Sequence, residues 1–316
     1  MTLAASPPPP RAPVSSRNLV IVAFFAVSLI WGSTYLGIRV ALEGFPPFVI
    51  GAIRFVVAGA ALFAFLRLRG APSPRPIEWV SATLTGSLFF VVGNGLVNVA
   101  EQRLSSGLAS VLVATMPLWA TLFERFAGSR IHGREWAGIG LGFAGVVLLN
   151  LGGELRASGV GAMCGLIAPM GWALGSIVSK RLPLPGGPMR TAIQMLCGGA
   201  VMALVSAALG ERFPSAPSGR AVGALVYLVL FGSLAGMSAY NYLLHHTRTT
   251  VATSYAYVNP VIAVALGVTL AGERLDVASG AGAIVILAAV LLITRGKSEP
   301  REQPAAAPLV GAQSAP

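Results

Sequence analysis

Apolar residues fall along this chain in long blocks rather than in periodic stripes. Reading between runs of Gly, Pro and charge, ten blocks stand out: 18–39, 47–67, 80–100, 106–124, 136–152, 159–180, 190–209, 221–243, 250–271 and 277–294. An apolar helix of roughly 20 residues spans a hydrocarbon core about 30 Å thick. Each block therefore predicts a membrane-crossing helix, with the fifth the shortest. The breaks carry turn chemistry, as in Glu43-Gly44-Phe45-Pro46-Pro47, the Arg67 to Pro76 loop, Leu182 to Pro188 and the polar Gly210 to Arg220 segment. The expected fold class is all-α integral membrane with ten transmembrane helices. Residues 1–17 read as a Pro/Ser-rich tail and 295–316 as a disordered Pro/Ala/Glu/Gln-rich tail. No small-residue cleavage site follows the first apolar run, so no secretory signal peptide is expected.

The blocks also repeat. A shift of 143 places Ala109…Pro117 on Ala252…Pro260 and Asn98 on Asn241. Trp31, with Arg39 eight residues later, is echoed by Trp172 with Lys180, and Arg54 near Gly59 is echoed by Gln194 near Gly199. The units 18–152 and 159–294 hold five spans each. Five is odd, so the second unit must enter the membrane in the opposite sense. Inverted repeats of this kind are a transporter architecture, with the substrate site near the midplane where the halves meet.

Composition narrows the class. Of 316 residues, 55% are hydrophobic and 10% charged, and the mean hydropathy is +0.75. An ordinary soluble domain carries about 25% charged residues, which excludes a soluble enzyme, a secreted disulfide scaffold and a disordered chain. The net charge of +11 would point to nucleic acid in a soluble protein. Its placement says otherwise. With the N-terminus inside, 15 Lys/Arg fall on the inner side and 6 on the outer, and Arg54 lies within a span. Acids bring the inner side to +10 and the outer to zero. The excess is a positive-inside signal with both termini cytoplasmic, facing anionic headgroups rather than nucleic acid. Cys164 and Cys197 lie in apolar runs and read as small buried hydrophobes. There is no HExxH, GxSxG, Walker-type loop or central carboxylate pair. The three histidines, at 132, 245 and 246, make no metal site. Neither catalysis, metal nor cofactor is expected.

Trp31-Gly32-Ser33-Thr34-Tyr35 followed by Arg39 resembles the first-helix signature of EamA-type transporters in the drug/metabolite transporter superfamily. The stretches from Pro47 to Arg54-Phe55, Ala109-Ser110 to Pro117, and Ala252 through Asn259-Pro260 to Gly272-Glu273-Arg274 are similar in the same way. The resemblance covers about residues 19–294. It implies two inverted five-helix repeats around a cavity lined mainly by helices one, three, four, six, eight and nine, in a bacterial inner membrane. It also implies export or exchange of small organic solutes such as amino acids or drug-like compounds. One departure is that the first repeat has Arg130 where the second has Glu273, with Glu124 nearby.

Polar groups inside lipid must face protein, water or solute, so each is a candidate site residue. Asn94, Asn98 and Glu101 share one face of an ideal helix, as do Ser238, Asn241 and His245. Asn98 and Asn241, related by the repeat, are expected to face the cavity, with interhelical hydrogen bonding as the structural alternative. Trp31, Tyr35, Trp172 and Tyr255 offer stacking or cation–π surface to an aromatic or cationic solute, or pack. Ser33, Ser176 and Asn259 complete the candidate lining, and Pro117 and Pro260 are candidate kinks or hinges. Arg54, about 10 Å into its span at 1.5 Å per residue, is either a clamp on carbonyls or a carboxylate, a snorkelling side chain, or a ligand for a substrate carboxylate. Glu101 is its candidate partner or a proton-coupling group.

The expected function is a secondary transporter exporting or exchanging amino-acid-like, aromatic or cationic solutes by alternating access. Alternatives are an importer of sugars or nucleotide-linked solutes, a membrane-embedded enzyme or a channel. The expected partners are a small-molecule solute and membrane lipid, with the chain a monomer or weak homodimer.

Overall fold

Hydrocarbon offers no partner to a backbone N–H or C=O, so an apolar chain satisfies its backbone by coiling into helices. The computed structural model describes residues 14–126, 133–151, 158–246, 255–274 and 277–294, and every regular element among them is helical. In order these are α1 (Val14–Ala41), α2 (Pro47–Leu68), α3 (Pro76–Gly86), a π-helical segment π1 (Ser87–Gly95), α4 (Leu96–Glu101), α5 (Ser106–Val113), α6 (Met116–Phe126), α7 (Gly133–Leu151), α8 (Gly159–Ser179), α9 (Pro188–Ala208), α10 (Gly219–Tyr227), a second π segment π2 (Leu228–Ala235), α11 (Gly236–His246), α12 (Tyr255–Leu270) and α13 (Val277–Thr294). Among the described residues, 7 helical stretches are long and apolar enough to cross a membrane. Three shorter apolar helices, Trp136–Leu148, Val258–Leu270 and Gly280–Ala289, accompany them.

Three expected spans differ in kind from simple helices. The third and eighth each change from α to π pitch midway, at π1 and π2. The fourth, expected to run unbroken over 106–124, is interrupted by a turn at Ala114–Thr115. Pro117 explains that break: it sits in the first turn of α6, where a missing N–H costs nothing, and it cannot continue the ladder of α5. The ninth expected span begins at 250, and its first residues, 250–254, lie outside the described residues.

The helices α2, π1 and α9 meet around Phe48, Phe55, Phe90, Met195 and Met202. Small residues let the backbones approach here. A Cβ on Gly59 would fall 2.7 Å from the Leu196 nitrogen, and one on Gly199 2.7 Å from the Val56 nitrogen. Close glycine crossings of this kind drive helix association where lipid supplies no hydrophobic force between helices. A polar tie reinforces the same region: Gln194 Nε2 donates to Thr85 Oγ1 (2.8 Å) and Ser179 Oγ (3.0 Å). Elsewhere α7 packs on α13, and α1 on α11 and α12.

At one end of the bundle, charged groups satisfy exposed helix termini. Glu211 accepts from the Phe48 (3.3 Å) and Val49 (3.1 Å) nitrogens at the start of α2, and from Ser206 Oγ (2.9 Å). Glu273 accepts from the Ser106 nitrogen (2.8 Å), Ser106 Oγ (3.0 Å) and the Gly107 nitrogen (3.2 Å) at the start of α5. Arg39 Nη1 donates to the carbonyls of Glu101 (2.7 Å) and Leu104 (3.0 Å), where α4 ends. Each contact puts a charge where the helix leaves backbone groups without partners.

The glycine crossing makes a direct prediction. Gly199→Val is expected to destabilise the protein by about 1–3 kcal/mol through overpacking. Gly223→Ala, where nothing lies within 4 Å of the added methyl, is expected to stay within about 0.5 kcal/mol of the parent. Thermal unfolding of the two purified variants in one detergent compares them.

Candidate functional site

A cavity lies where α1, α2, π1, α4, the α5–α6 break, α8, π2, α11 and α12 converge. Each wall follows from a local feature of the sequence. The first wall is one face of α1, with Trp31, Thr34, Tyr35 and Ile38 at helical spacing. The break supplies Val113, Ala114 and Met116, and Ser110 sits one turn earlier. The π segments supply Phe90 and Asn94 from one side and Gly232 and Ser233 from the other. A π segment leaves its backbone looser than an α-helix and is frequent at functional sites. Here both π segments reach the same space.

The two mid-span tryptophans hold this arrangement. The Trp172 indole lies over Gly93, where a Cβ would fall 2.6 Å from Nε1, and its ring meets Phe89 edge-on at 5.1 Å. The Trp31 indole lies over Gly236 and donates Nε1–H to the Gly232 carbonyl at 3.0 Å. Trp31 also meets Tyr255 edge-on at 4.8 Å and Tyr240 at 5.3 Å. Each tryptophan thus docks on a π segment or the turn after it, and each still presents surface to the cavity.

Of the candidate residues read from the sequence, Trp31, Tyr35, Arg54, Asn94, Trp172, Tyr255 and Asn259 line the cavity. Asn94 Nδ2 donates to the Phe89 carbonyl at 3.2 Å, inside the loosened π ladder. Asn259 turns its amide nitrogen to the carbonyls of Ser28 (3.3 Å) and Tyr255 (3.2 Å). Arg54 is 6% exposed, its Nε donates to Ser233 Oγ at 2.8 Å, and its guanidinium carbon sits 4.8 Å from the Phe55 ring centroid.

Other expectations need correction. Asn98 does not line the cavity; it is buried and donates to the Pro47 carbonyl at 2.8 Å. The cavity face runs from Asn94 to Val97, three residues on, and Asn98 falls beside it, turned to the start of α2. Ser33 is turned to the Leu29 and Ile30 carbonyls and the Tyr227 hydroxyl. Ser176 and Ser238 bond the carbonyls four residues back, those of Trp172 and Leu234. Serines in apolar helices satisfy themselves this way, and none of these three is among the residues that line the cavity. Glu101 is not among the lining residues; it is 0% exposed, with neither carboxylate oxygen hydrogen-bonded. No described carboxylate lies within 4.0 Å of Arg54, so the expected Arg54–Glu101 ion pair is not formed. Pro117 borders the α5–α6 break, whereas Pro260 stays inside a continuous α12. The side chains of Asn241 and His245 lie outside the described residues.

Sequence reasoning missed Ser110, Phe55, Phe90 and Ser233. Ser110 and Phe55 stood within the motifs of the resemblance, but a lone serine or phenylalanine in an apolar run carries no signal of its own. Among the described residues no group of three His, Cys, Asp or Glu side chains forms a metal site.

Comparison with known proteins places this geometry. Residues 18–151 and 159–295 each match the EamA-like transporter family. The uncharacterized inner membrane transporter YedA of Escherichia coli K12 is 44% identical over 289 residues, covering 91% of this chain and 94% of that protein. The uncharacterized transporter YoaV of Bacillus subtilis is 24% identical, covering 87% and 96%. A protein named as a probable amino-acid metabolite efflux pump in E. coli K12 is 24% identical, covering 86% and 93%. One solved crystal structure shares the fold with a TM-score of 0.59 at 22% identity, over 87% of this chain and 96% of that one.

Accessibility separates lining from packing. In a background with Cys164 and Cys197 replaced by Ala, Asn94→Cys and Ser110→Cys are expected to react with a small water-soluble methanethiosulfonate reagent. Asn98→Cys and Ser176→Cys are expected to react at least about tenfold more slowly, since reactivity requires an exposed thiolate. Mass spectrometry of the labelled variants measures the rates.

Proposed function

We propose that this chain, which belongs to the EamA-like transporter family, is a secondary transporter that exports or exchanges small organic solutes by alternating access. The observation that carries this reading is the cavity itself: Trp31 docks on the far half of the chain at Gly232 and Gly236, and Trp172 on the near half at Gly93. A cavity walled from both halves changes its opening when the halves rock.

The same reading takes the fold as ten membrane helices in two inverted five-helix repeats, with both termini cytoplasmic. Support comes from direction: α8 starts beside Leu104 and Arg103, at the end of the bundle where α1 finishes. That end carries the Arg39, Glu211 and Glu273 contacts, which tie one segment to another, and we take them as its closed gate. By the positive-inside argument it is the outer end. Opening outward then requires the Glu273 carboxylate to leave the α5 N-terminus. Glutamine there keeps the size and loses the charge that the helix terminus favours. A loss of about 1.4 kcal/mol shifts such an equilibrium about tenfold.

Glu101 is the candidate for proton coupling. Its carboxyl group is fully buried without a hydrogen-bond partner, and the charges acting on it are Glu273, Arg39 and Arg54. An acid placed so costs stability without a structural return, and buried acids of this kind mark proton relays in transporters.

Three experiments test this reading. Proteoliposomes are expected to show protein-dependent flux of some members of a broad solute panel, and no flux for any member overturns transport. In whole cells, Glu273→Gln is expected to raise labelling of Ser110→Cys from the outer side about tenfold, and unchanged labelling refutes the gate. With a solute that the panel identifies, an imposed pH gradient is expected to drive flux in the parent protein and not in Glu101→Gln. Equal pH dependence in both removes Glu101 from coupling.

A further inference from the structure

Arginine inside a membrane helix is costly, and Arg54 does not earn its place by packing. Among the described residues its one hydrogen bond runs from Nε to Ser233 Oγ, and no carboxylate lies within 4.0 Å. A clamp on helix carbonyls would spend the terminal nitrogens as well. The position that corresponds to it in the second half, Gln194, does the packing job with a neutral amide, donating to Thr85 and Ser179. A charge is therefore not what the helix crossing needs.

The guanidinium is instead held in a fixed pose. Ser233 anchors Nε, the Phe55 ring lies 4.8 Å from the guanidinium carbon, and Nη2 sits where Gly232 has no side chain, 3.0 Å from the position a Cβ would take. Among the described residues the two terminal nitrogens make no hydrogen bond, and the side chain lies on the wall of the cavity. The rest of the described lining contains no acidic residue, and its aromatic groups include Trp31, Tyr35, Phe90, Trp172 and Tyr255.

We propose that Arg54 anchors a carboxylate, and that the transported solute is an organic monocarboxylate with an apolar or aromatic body. The planar fork of an arginine matches a carboxylate with two parallel hydrogen bonds. One cation in a low-dielectric cavity favours one anionic group and opposes a cationic one. The aromatic walls take up the body of the solute. The inference rests on the transport reading and adds to it the charge of the solute.

The test uses three probes with one body and different heads: 3-phenylpropionate, 3-phenylpropionamide and 3-phenylpropylamine. Binding to the purified full-length protein in lipid nanodiscs is measured by calorimetry. The carboxylate is expected to bind at least about tenfold more tightly than the amide, and the amine more weakly than either. In Arg54→Gln the preference for carboxylate over amide is expected to fall to about twofold or less, and in Arg54→Lys to recover in part. Ser233→Ala, which releases Nε, is expected to lower carboxylate affinity about threefold or more. Equal binding of the three heads, tighter binding of the amine, an intact preference in Arg54→Gln, or no binding of any probe overturns the proposal. If Arg54→Gln does not fold, Arg54→Lys and Ser233→Ala decide, and an unchanged preference in both overturns it. The transport reading fails separately, on the absence of protein-dependent flux of any solute in proteoliposomes.

Discussion

The structure depends on one demand: every backbone N–H and C=O must find a hydrogen bond in a medium that supplies none. A group left without one in hydrocarbon costs several kcal/mol, on the order of the whole stability of a small domain. Helices such as α2 and α9, with no proline beyond their first turn, meet the demand along their length. Departures from plain α pitch collect around the cavity, at π1, π2 and the α5–α6 break. Each is compensated locally, by Asn94 on the Phe89 carbonyl, Trp31 on the Gly232 carbonyl and Thr115 on the Leu112 carbonyl. Irregular backbone at membrane depth is tolerated only where protein buries it or water reaches it. The irregularities and the cavity are therefore two views of one feature.

The same demand sorts the polar side chains. Asn98 and Gln194 spend their amide donors on a carbonyl or hydroxyls of neighbouring helices. Ser176 and Ser238 turn back on their own helices. Glu211, Glu273 and Arg39 act on helix termini instead of on opposite charges. Once these are accounted for, Arg54, Glu101, the Asn98 amide oxygen and the Trp119 indole nitrogen keep hydrogen-bonding capacity that the described protein does not use. Of these only Arg54 and Glu101 are ionisable, and a charge inside a membrane is costly enough to point to function.

How much of this was legible depends on whether the signal was local. Block hydrophobicity is local, and the helices fall close to the blocks. Trp31 and Trp172 stood out as aromatic residues echoed between the two halves, and both reach the cavity. Pro117 marked the α5–α6 break through its own ring chemistry. Asn98 was misplaced because residues three and four apart both fall on one broad helix face, and only the fold shows that the cavity meets Val97 while Asn98 turns to α2. Ser233 was invisible because its meaning comes from Arg54, 179 residues away. Glu273 was noticed as a departure between the halves, but its partner Ser106 lies 167 residues away, and only the fold brings them together.

The correspondence between the halves is one of backbone more than of chemistry. Trp172 follows Trp31 by the same offset as Leu228, the start of π2, follows Ser87, the start of π1. Tryptophan, small residue and π segment thus recur as a set, because two halves that meet around one cavity need matching docking surfaces. The ionisable position does not recur. Where the first half has Arg54, the second has Gln194, already satisfied by Thr85 and Ser179. A second arginine there would add another desolvation cost of about 3 kcal/mol even on the lenient scale, and the two like charges would repel across a low-dielectric space. A cavity shared by two halves needs its charge only once. The mechanical parts are duplicated and the charge is not.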